Sequence, residues 1–146
     1  MNESQAFIVM HSETIKVRFR DTDAQGHLYF ANYLVYADEA AGAFMSTLGF
    51  NWVDPQQAPC LVFTANINCD YLQECRMDDL VRVDVGYQRL GNTSAALGFA
   101  MHEEKSATPL ARGTITQVFT DRQTRRPCPI PETLRQRLIA AAPALA

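Results

Sequence analysis

Apolar and polar positions along this chain follow two periods, and their order predicts an architecture. Over residues 14–20, Ile15, Val17 and Phe19 alternate with Lys16, Arg18 and Arg20, the two-residue period of a half-buried strand. A polar turn, Asp21-Thr22-Asp23-Ala24-Gln25-Gly26-His27, ends it. Beyond the turn, Phe30, Tyr33, Leu34, Ala37, Ala41, Phe44, Met45 and Leu48 recur at helical spacing, and Gly49 supplies a stop, which predicts a helix over 30–48. Val35, Tyr36, Ala40 and Ala43 interrupt Asp38 and Glu39 on its other side. A helix apolar nearly all round is usually buried, so the rest of the chain is expected to wrap it.

The two-residue period then returns. Leu61, Phe63, Ala65, Ile67, Cys69 and Tyr71 alternate with Val62, Thr64, Asn66, Asn68 and Asp70, and Val81, Val83, Val85 and Tyr87 alternate with Arg82, Asp84 and Gln88. Gly91-Asn92 marks a hairpin into Ala95, Leu97, Phe99 and Met101, and residues 105–109 mark another into a last strand over 110–120. A short helix over 131–142 closes the chain, with Pro131 suited to its first position. Strand, long helix, then four strands joined by short turns is an α+β order. It predicts a curled antiparallel sheet of about five strands around one central helix. Such a sheet has open edges, and pairing with a second copy would cover one, so a homodimer is expected.

Composition narrows the class of protein. The 146 residues are expected to form a single domain spanning 1–146, and 47% hydrophobic against 20% charged residues is far from the signature of disorder. Thirteen Lys and Arg against sixteen Asp and Glu leave a net charge of −3, which argues against a nucleic-acid partner. No run reaches the length of a membrane span, and residues 1–16 do not resemble a leader, so a soluble cytoplasmic protein is expected. Cys60, Cys69, Cys75 and Cys128 form no Cys-x-x-Cys pair and are expected to be reduced, packed thiols.

The turn over residues 21–27 is the segment able to carry chemistry. Its aspartates suit a turn or a helix start for structural reasons alone. They also suit catalysis: a carboxylate beside a helix N-terminus can act as nucleophile or base while free backbone N–H groups hold a developing oxyanion. Asp21, Asp23 and His27 as cation ligands, or the helix N-terminus as a phosphate cradle, are further readings. The spacing supports a metal only weakly, and both glycine-rich phosphate motifs are missing, so neither metal nor cofactor is expected.

Residues 21–33, Asp21-Thr22-Asp23-Ala24-Gln25-Gly26-His27-Leu28-Tyr29-Phe30-Ala31-Asn32-Tyr33, followed by Tyr36 and Glu39-Ala40, resemble the signature of hotdog-fold acyl-CoA thioesterases of the 4-hydroxybenzoyl-CoA thioesterase type. Strand and helix order match that fold over residues 14–121, and Asp70-Tyr71 and Asp79-Leu80-Val81 resemble its second and third strands. The resemblance implies an enzyme that hydrolyses an acyl-CoA to a free acid and CoA, in a homodimer or a dimer of dimers whose pocket lies between subunits. It implies Asp23 as the catalytic carboxylate and the Phe30 N–H as the group polarising the thioester oxygen. Asp38 falls where the hydroxybenzoyl enzyme contacts the aromatic hydroxyl. His27 departs from that enzyme, which has an aliphatic residue there, and as a partner of Asp23 it would instead suit a hotdog hydratase or dehydratase. A non-catalytic acyl-CoA-binding module is the other alternative. Tyr29, Tyr33 and Tyr36 are candidates for packing or for lining an acyl tunnel, and Thr64, Asn66 and Asn68 for lining the pocket. The phosphates of a CoA ester call for local cations, for which Arg89, Arg122, Arg125 and Arg126 are the candidates. His11 and His102 are expected to be surface or satisfied histidines.

Overall fold

The computed structural model describes residues 6–50 and 52–146. Five strands, β1 (His11–Lys16), β2 (Leu61–Tyr71), β3 (Leu80–Leu90), β4 (Ser94–Glu103) and β5 (Pro109–Thr120), form one antiparallel sheet in the order β1-β3-β4-β5-β2. The long helix α1 (Phe30–Thr47) lies across it, and a shorter helix α2 (Glu132–Ala141) packs Leu134 and Leu138 inward near the chain end. This is the five-stranded antiparallel sheet with one long helix that the pattern predicts and that the resemblance to the hotdog fold implies, with β1 and β2 as its two open edges.

The core forms where the two periods meet. Val81, Val83, Val85 and Tyr87 of β3 and Ala95, Leu97, Phe99 and Met101 of β4 are all essentially inaccessible. They face Tyr33, Tyr36, Ala37, Ala40, Ala41, Phe44 and Met45 of α1. Gly49 adopts φ +99° just past the helix, a conformation that favours glycine and turns the chain away. The helix is wrapped on one side only: Val35, Asp38, Glu39 and Ser46 stay exposed. Among the described residues no helix is long and apolar enough to cross a membrane.

Three boundaries differ from the pattern. The first strand spans His11–Lys16, not 14–20, because the chain closes into a 3-10 turn at Phe19–Asp21, where the Asp21 N–H donates to the Arg18 carbonyl. Phe19 is thereby 81% exposed instead of joining Ile15 and Val17. Pro131 caps α2 from outside its first turn. In β2 the alternation changes phase: Ala65 is an extra residue between the pairs Thr64–Gln117 and Asn66–Thr116. Val62 therefore packs inward before the bulge and Ile67 and Cys69 after it, while Phe63 turns out to 45% exposure.

Candidate active site

The loop between β1 and α1 is clamped by the segment that follows β2. Leu28 N–H donates to the Cys75 carbonyl at 2.8 Å, His27 and Arg76 form an antiparallel bridge, and Asp78 N–H donates to the Val17 carbonyl at 2.8 Å. Gly26, at φ +80°, makes the reversal that lets the Asp23 N–H donate to the His27 carbonyl at 2.8 Å.

The two aspartates of this loop occupy different environments. The half-buried Asp21 carboxylate accepts the Tyr36 hydroxyl at 2.6 Å and the Arg18 N–H at 3.3 Å. Its backbone carbonyl accepts Tyr29 N–H at 2.9 Å and Asn32 Nδ2 at 3.0 Å, which ties the helix start to the loop. Asp23 is exposed, and its Oδ1 accepts the N–H groups of Gln25 at 2.9 Å and His27 at 3.2 Å. Its Oδ2 has no hydrogen-bond partner among the described residues.

The start of α1 carries no side-chain cap and no acidic residue in its first turn. Tyr29 precedes the helix, and the Phe30 N–H finds no acceptor among the described residues. An uncapped first turn of this kind holds donors and a positive dipole end toward the loop. Around it sits an aromatic cluster: the Tyr29 and Phe30 rings lie 4.8 Å apart, the Tyr71 hydroxyl donates to the Phe30 carbonyl at 3.0 Å, and Tyr33 meets Tyr71 edge to face at 5.1 Å. Tyr33 is buried, with its hydroxyl donating to the Gln73 carbonyl at 3.2 Å, whereas Tyr29, Phe30 and Tyr71 are open to solvent. Burial raises the Tyr33 and Tyr36 hydroxyls well above the ordinary tyrosine range, and the Asp21 carboxylate adds to this at Tyr36. His27 is half-buried, and its Nε2 lies 2.9 Å from Glu74 Oε2, not against the Asp23 carboxylate.

The remaining candidates lie elsewhere in the subunit. Asp38 sits eight residues along α1 from Phe30, about 12 Å by the helical rise, in a groove lined by Glu39, Gly42, Ala43, Ser46 and Trp52. Asn66 and Asn68 are exposed on β2, Asn68 about 10 Å along the strand from Tyr71. Arg125 lies over the Phe63 ring at 5.6 Å, which puts it and Arg126 about 25 Å from the Tyr71 end of the strand. Arg89 belongs to the same far end, since β3 enters at Leu80 beside Lys16 and Arg89 pairs Ala96 close to the hairpin. Arg122 is committed to the main chain, donating to the carbonyls of Gln56 and Ala58. Within one chain the loop and these arginines therefore occupy opposite ends of the sheet.

Two residues that shape the loop end, Gln73 and Glu74, gave no sequence signal, and Tyr71 was legible only as a strand residue. All three reach the loop because the chain leaving β2 runs back along residues 27–29, a pairing no local period reveals.

The model of the thioesterase-like superfamily matches residues 17–138. Over 124 residues the chain is 26% identical to the acyl-CoA thioesterase YbgC of Haemophilus influenzae, covering 83% of this chain and 88% of that one. It is 25% identical over 121 residues to the 1,4-dihydroxy-2-naphthoyl-CoA hydrolase of Synechococcus elongatus, covering 82% and 88%. The fold superposes on the crystal structure of a thioesterase from Thermus thermophilus complexed with coenzyme A and Zn, with a TM-score of 0.79 and 26% identity over 90% of this chain and 93% of that one. The fold, the loop signature and these likenesses agree, and the chain belongs to the thioesterase-like superfamily as a hotdog-fold thioester hydrolase.

Proposed function

We propose that this protein hydrolyses an acyl-CoA to the free acid and CoA, with Asp23 as the catalytic carboxylate and the Phe30 N–H as the oxyanion donor. One observation carries this reading: Asp23 presents an unpartnered Oδ2 on the loop that leads into an uncapped helix start, while two backbone N–H groups fix its Oδ1. The carboxylate is thus held in place without its second oxygen being consumed. With the thioester oxygen near the Phe30 N–H, Oδ2 either attacks the carbonyl carbon or draws a proton from a water that attacks it. The N–H stabilises the tetrahedral oxyanion, whose collapse breaks the C–S bond and expels the CoA thiolate; in the direct route this leaves an acyl anhydride on Asp23, which water cleaves to the free acid and the regenerated carboxylate. Because the donor is main chain, replacing the Phe30 side chain tests shape and not this bond. The named relatives support the acyl-CoA substrate, since one is an acyl-CoA thioesterase and another a naphthoyl-CoA hydrolase.

The working unit in this reading is a homodimer in the cytoplasm. Strand β2 is an eleven-residue open edge carrying Phe63, Thr64, Asn66 and Asn68 in exposed positions, and the four cysteines are free thiols. Antiparallel pairing of β2 with its copy about a two-fold reverses the ends, so that the partner's Arg125 and Arg126 come alongside the Asp23 loop, whereas Arg89, on β3 three strands in from that edge, stays away from it. Those two arginines then join Arg20 and Arg76, which already adjoin the loop, as cations for the CoA phosphates.

The test is thiol release from short, long and aromatic acyl-CoAs by the natural protein and by Asp23→Asn. Asparagine keeps an acceptor for Gln25 and His27, so the loop should hold while activity falls by about 10²- to 10⁴-fold, the usual worth of a positioned acid–base or oxyanion group. Undiminished release by the variant would remove Asp23 from the mechanism. Hydration of enoyl-CoA without thiol release would replace the hydrolase reading by a hydratase. Single-turnover hydrolysis in H₂¹⁸O bears on the two routes: label retained in the Asp23 carboxylate marks direct attack, and label only in the acid counts against it.

A further inference from the structure

Outside the groups already given roles, the loop contains one charged contact that it does not need for its fold. His27 Nε2 lies 2.9 Å from Glu74 Oε2, with the two side chains 24% and 49% accessible. The backbone already holds these segments together through the His27–Arg76 bridge and the Leu28 N–H to Cys75 carbonyl bond, so the side-chain pair is additional to the clamp. An exposed pair of this kind adds little stability. What it does fix is the chemistry of the ring. An ionised glutamate accepts only, so the atom facing it must carry the hydrogen. Neutral His27 is then the Nε2–H tautomer, and Nδ1 is left as its lone pair.

From this contact we infer that Glu74 is a positioning residue for the thioesterase site: it locks the His27 ring in the Nε2–H tautomer beside the catalytic loop and keeps Nδ1 as the ring's proton acceptor. This rests on the proposed role of the Asp23 loop. The same histidine donates its backbone N–H to Asp23 Oδ1 at 3.2 Å, so one residue joins the two carboxylates, Glu74 through its ring and Asp23 through its main chain. The clamp holds the His27 amide against the Asp23 carboxylate, and what Glu74 adds is the orientation and tautomer of the ring beside it. The charged groups around the pair are Asp23 on its own loop and, on the clamping segment, Arg76 and Asp79, of which Asp79 is occupied by the Arg76 N–H at 2.8 Å. Residue types at other positions of the loop do not announce this role, because Glu74 lies 47 positions beyond His27 and reaches it only through the return of the chain after β2.

The experiment pairs nitrogen NMR of the histidine ring with a kinetic cycle on the full-length protein. With ¹⁵N-histidine label, the native protein at a pH where His27 is neutral should show Nε2 protonated and Nδ1 bare. Glu74→Ala should bring the mixture of tautomers typical of a free imidazole, and Glu74→Asp should restore part of the native pattern. In acyl-CoA hydrolysis, Glu74→Ala is expected to lower kcat by about 10- to 100-fold with KM little changed, the scale seen when an orienting partner of a functional histidine is lost. In a His27→Ala background the Glu74→Ala change should then cost less than about twofold, because the residue it positions is gone. An unchanged tautomer in Glu74→Ala, or equal losses in the two backgrounds, would overturn the assignment. The ring measurement does not depend on turnover, so an inactive native protein would sink the thioesterase reading and leave the Glu74 contact to be judged by NMR.

Discussion

Removing the Tyr36 hydroxyl separates the roles of two aspartates that the sequence presents as equals. In Tyr36→Phe the ring stays in its buried place on α1, and only the 2.6 Å bond to the Asp21 carboxylate disappears. Asp21 keeps the Arg18 N–H at 3.3 Å and a loose contact with Arg20 at 3.8 Å, so its charge is left under-compensated in a half-buried position. A hydrogen bond to a charged acceptor contributes about 1.5–3 kcal/mol. Unfolding entropy of about 2.1 cal/mol/K per residue gives roughly 0.3 kcal/mol/K for 146 residues, so the melting temperature should fall by about 5–10 °C. The assay is thermal and urea unfolding followed by circular dichroism at one fixed protomer concentration, since any association would move the midpoint. In an Asp21→Ala background the same change should cost less than about 0.5 kcal/mol, because the acceptor has gone. A Tyr36→Phe protein within about 0.5 kcal/mol of the native one would refute the anchoring role of Asp21.

The other expectations concern packing and titration. Gly113 sits in β5 opposite Cys69, and a methyl group there would meet the Asn68 carbonyl at 1.9 Å and the Phe99 ring at 2.7 Å. Gly113→Ala should therefore cost more than about 2 kcal/mol or abolish folding, and a native-like urea midpoint would contradict the close approach of β2. Burial raises the hydroxyls of Tyr33, Tyr36 and Tyr87 above the unfolded value of about 10, so the fold favours their protonated forms. That contribution is fully present below about pH 10 and is lost as the pH climbs past it. Phenolate absorbance from these three should accordingly appear only together with the loss of structure, and their ionisation in a still-folded protein would count against the burial described.

Much of the frame was legible because each core position of α1, β3 and β4 is fixed by its own local period. Val81 to Met101 needed no knowledge of what they pack against to be read as inward-facing. The failures have the opposite character. Phe19 continues the alternation of Ile15 and Val17 yet points out, because a hydrogen bond three residues long, from Asp21 N–H to the Arg18 carbonyl, outweighs one more strand residue. In β2 the apolar residues at 61, 63, 65, 67, 69 and 71 read as one face, but Thr64 and Asn66 both find partners on β5 only if Ala65 is skipped. Nothing in the segment itself encodes that skip; it is a property of the pair of strands.

The site obeys the same division. Asp21 and Asp23 are two positions apart in one turn, and what tells them apart is a tyrosine fifteen residues beyond Asp21, about two helical turns into α1 from its uncapped start. The helical period places Tyr36 on the buried face with Tyr33, so a hydroxyl there must find a partner, and the nearer aspartate supplies it. Asp23 is consequently the carboxylate left with a spare oxygen, an outcome of satisfying the interior and not of any preference in the turn. Arg20 and Arg76 adjoin the loop within one chain, but Arg125 cannot be judged by its distance from the loop there, because it is anchored over Phe63 at the other end of an edge strand. In the proposed two-fold pairing that separation is what places the partner's arginines at the loop, so distance from the site in one copy and membership of the site in two are the same geometric fact.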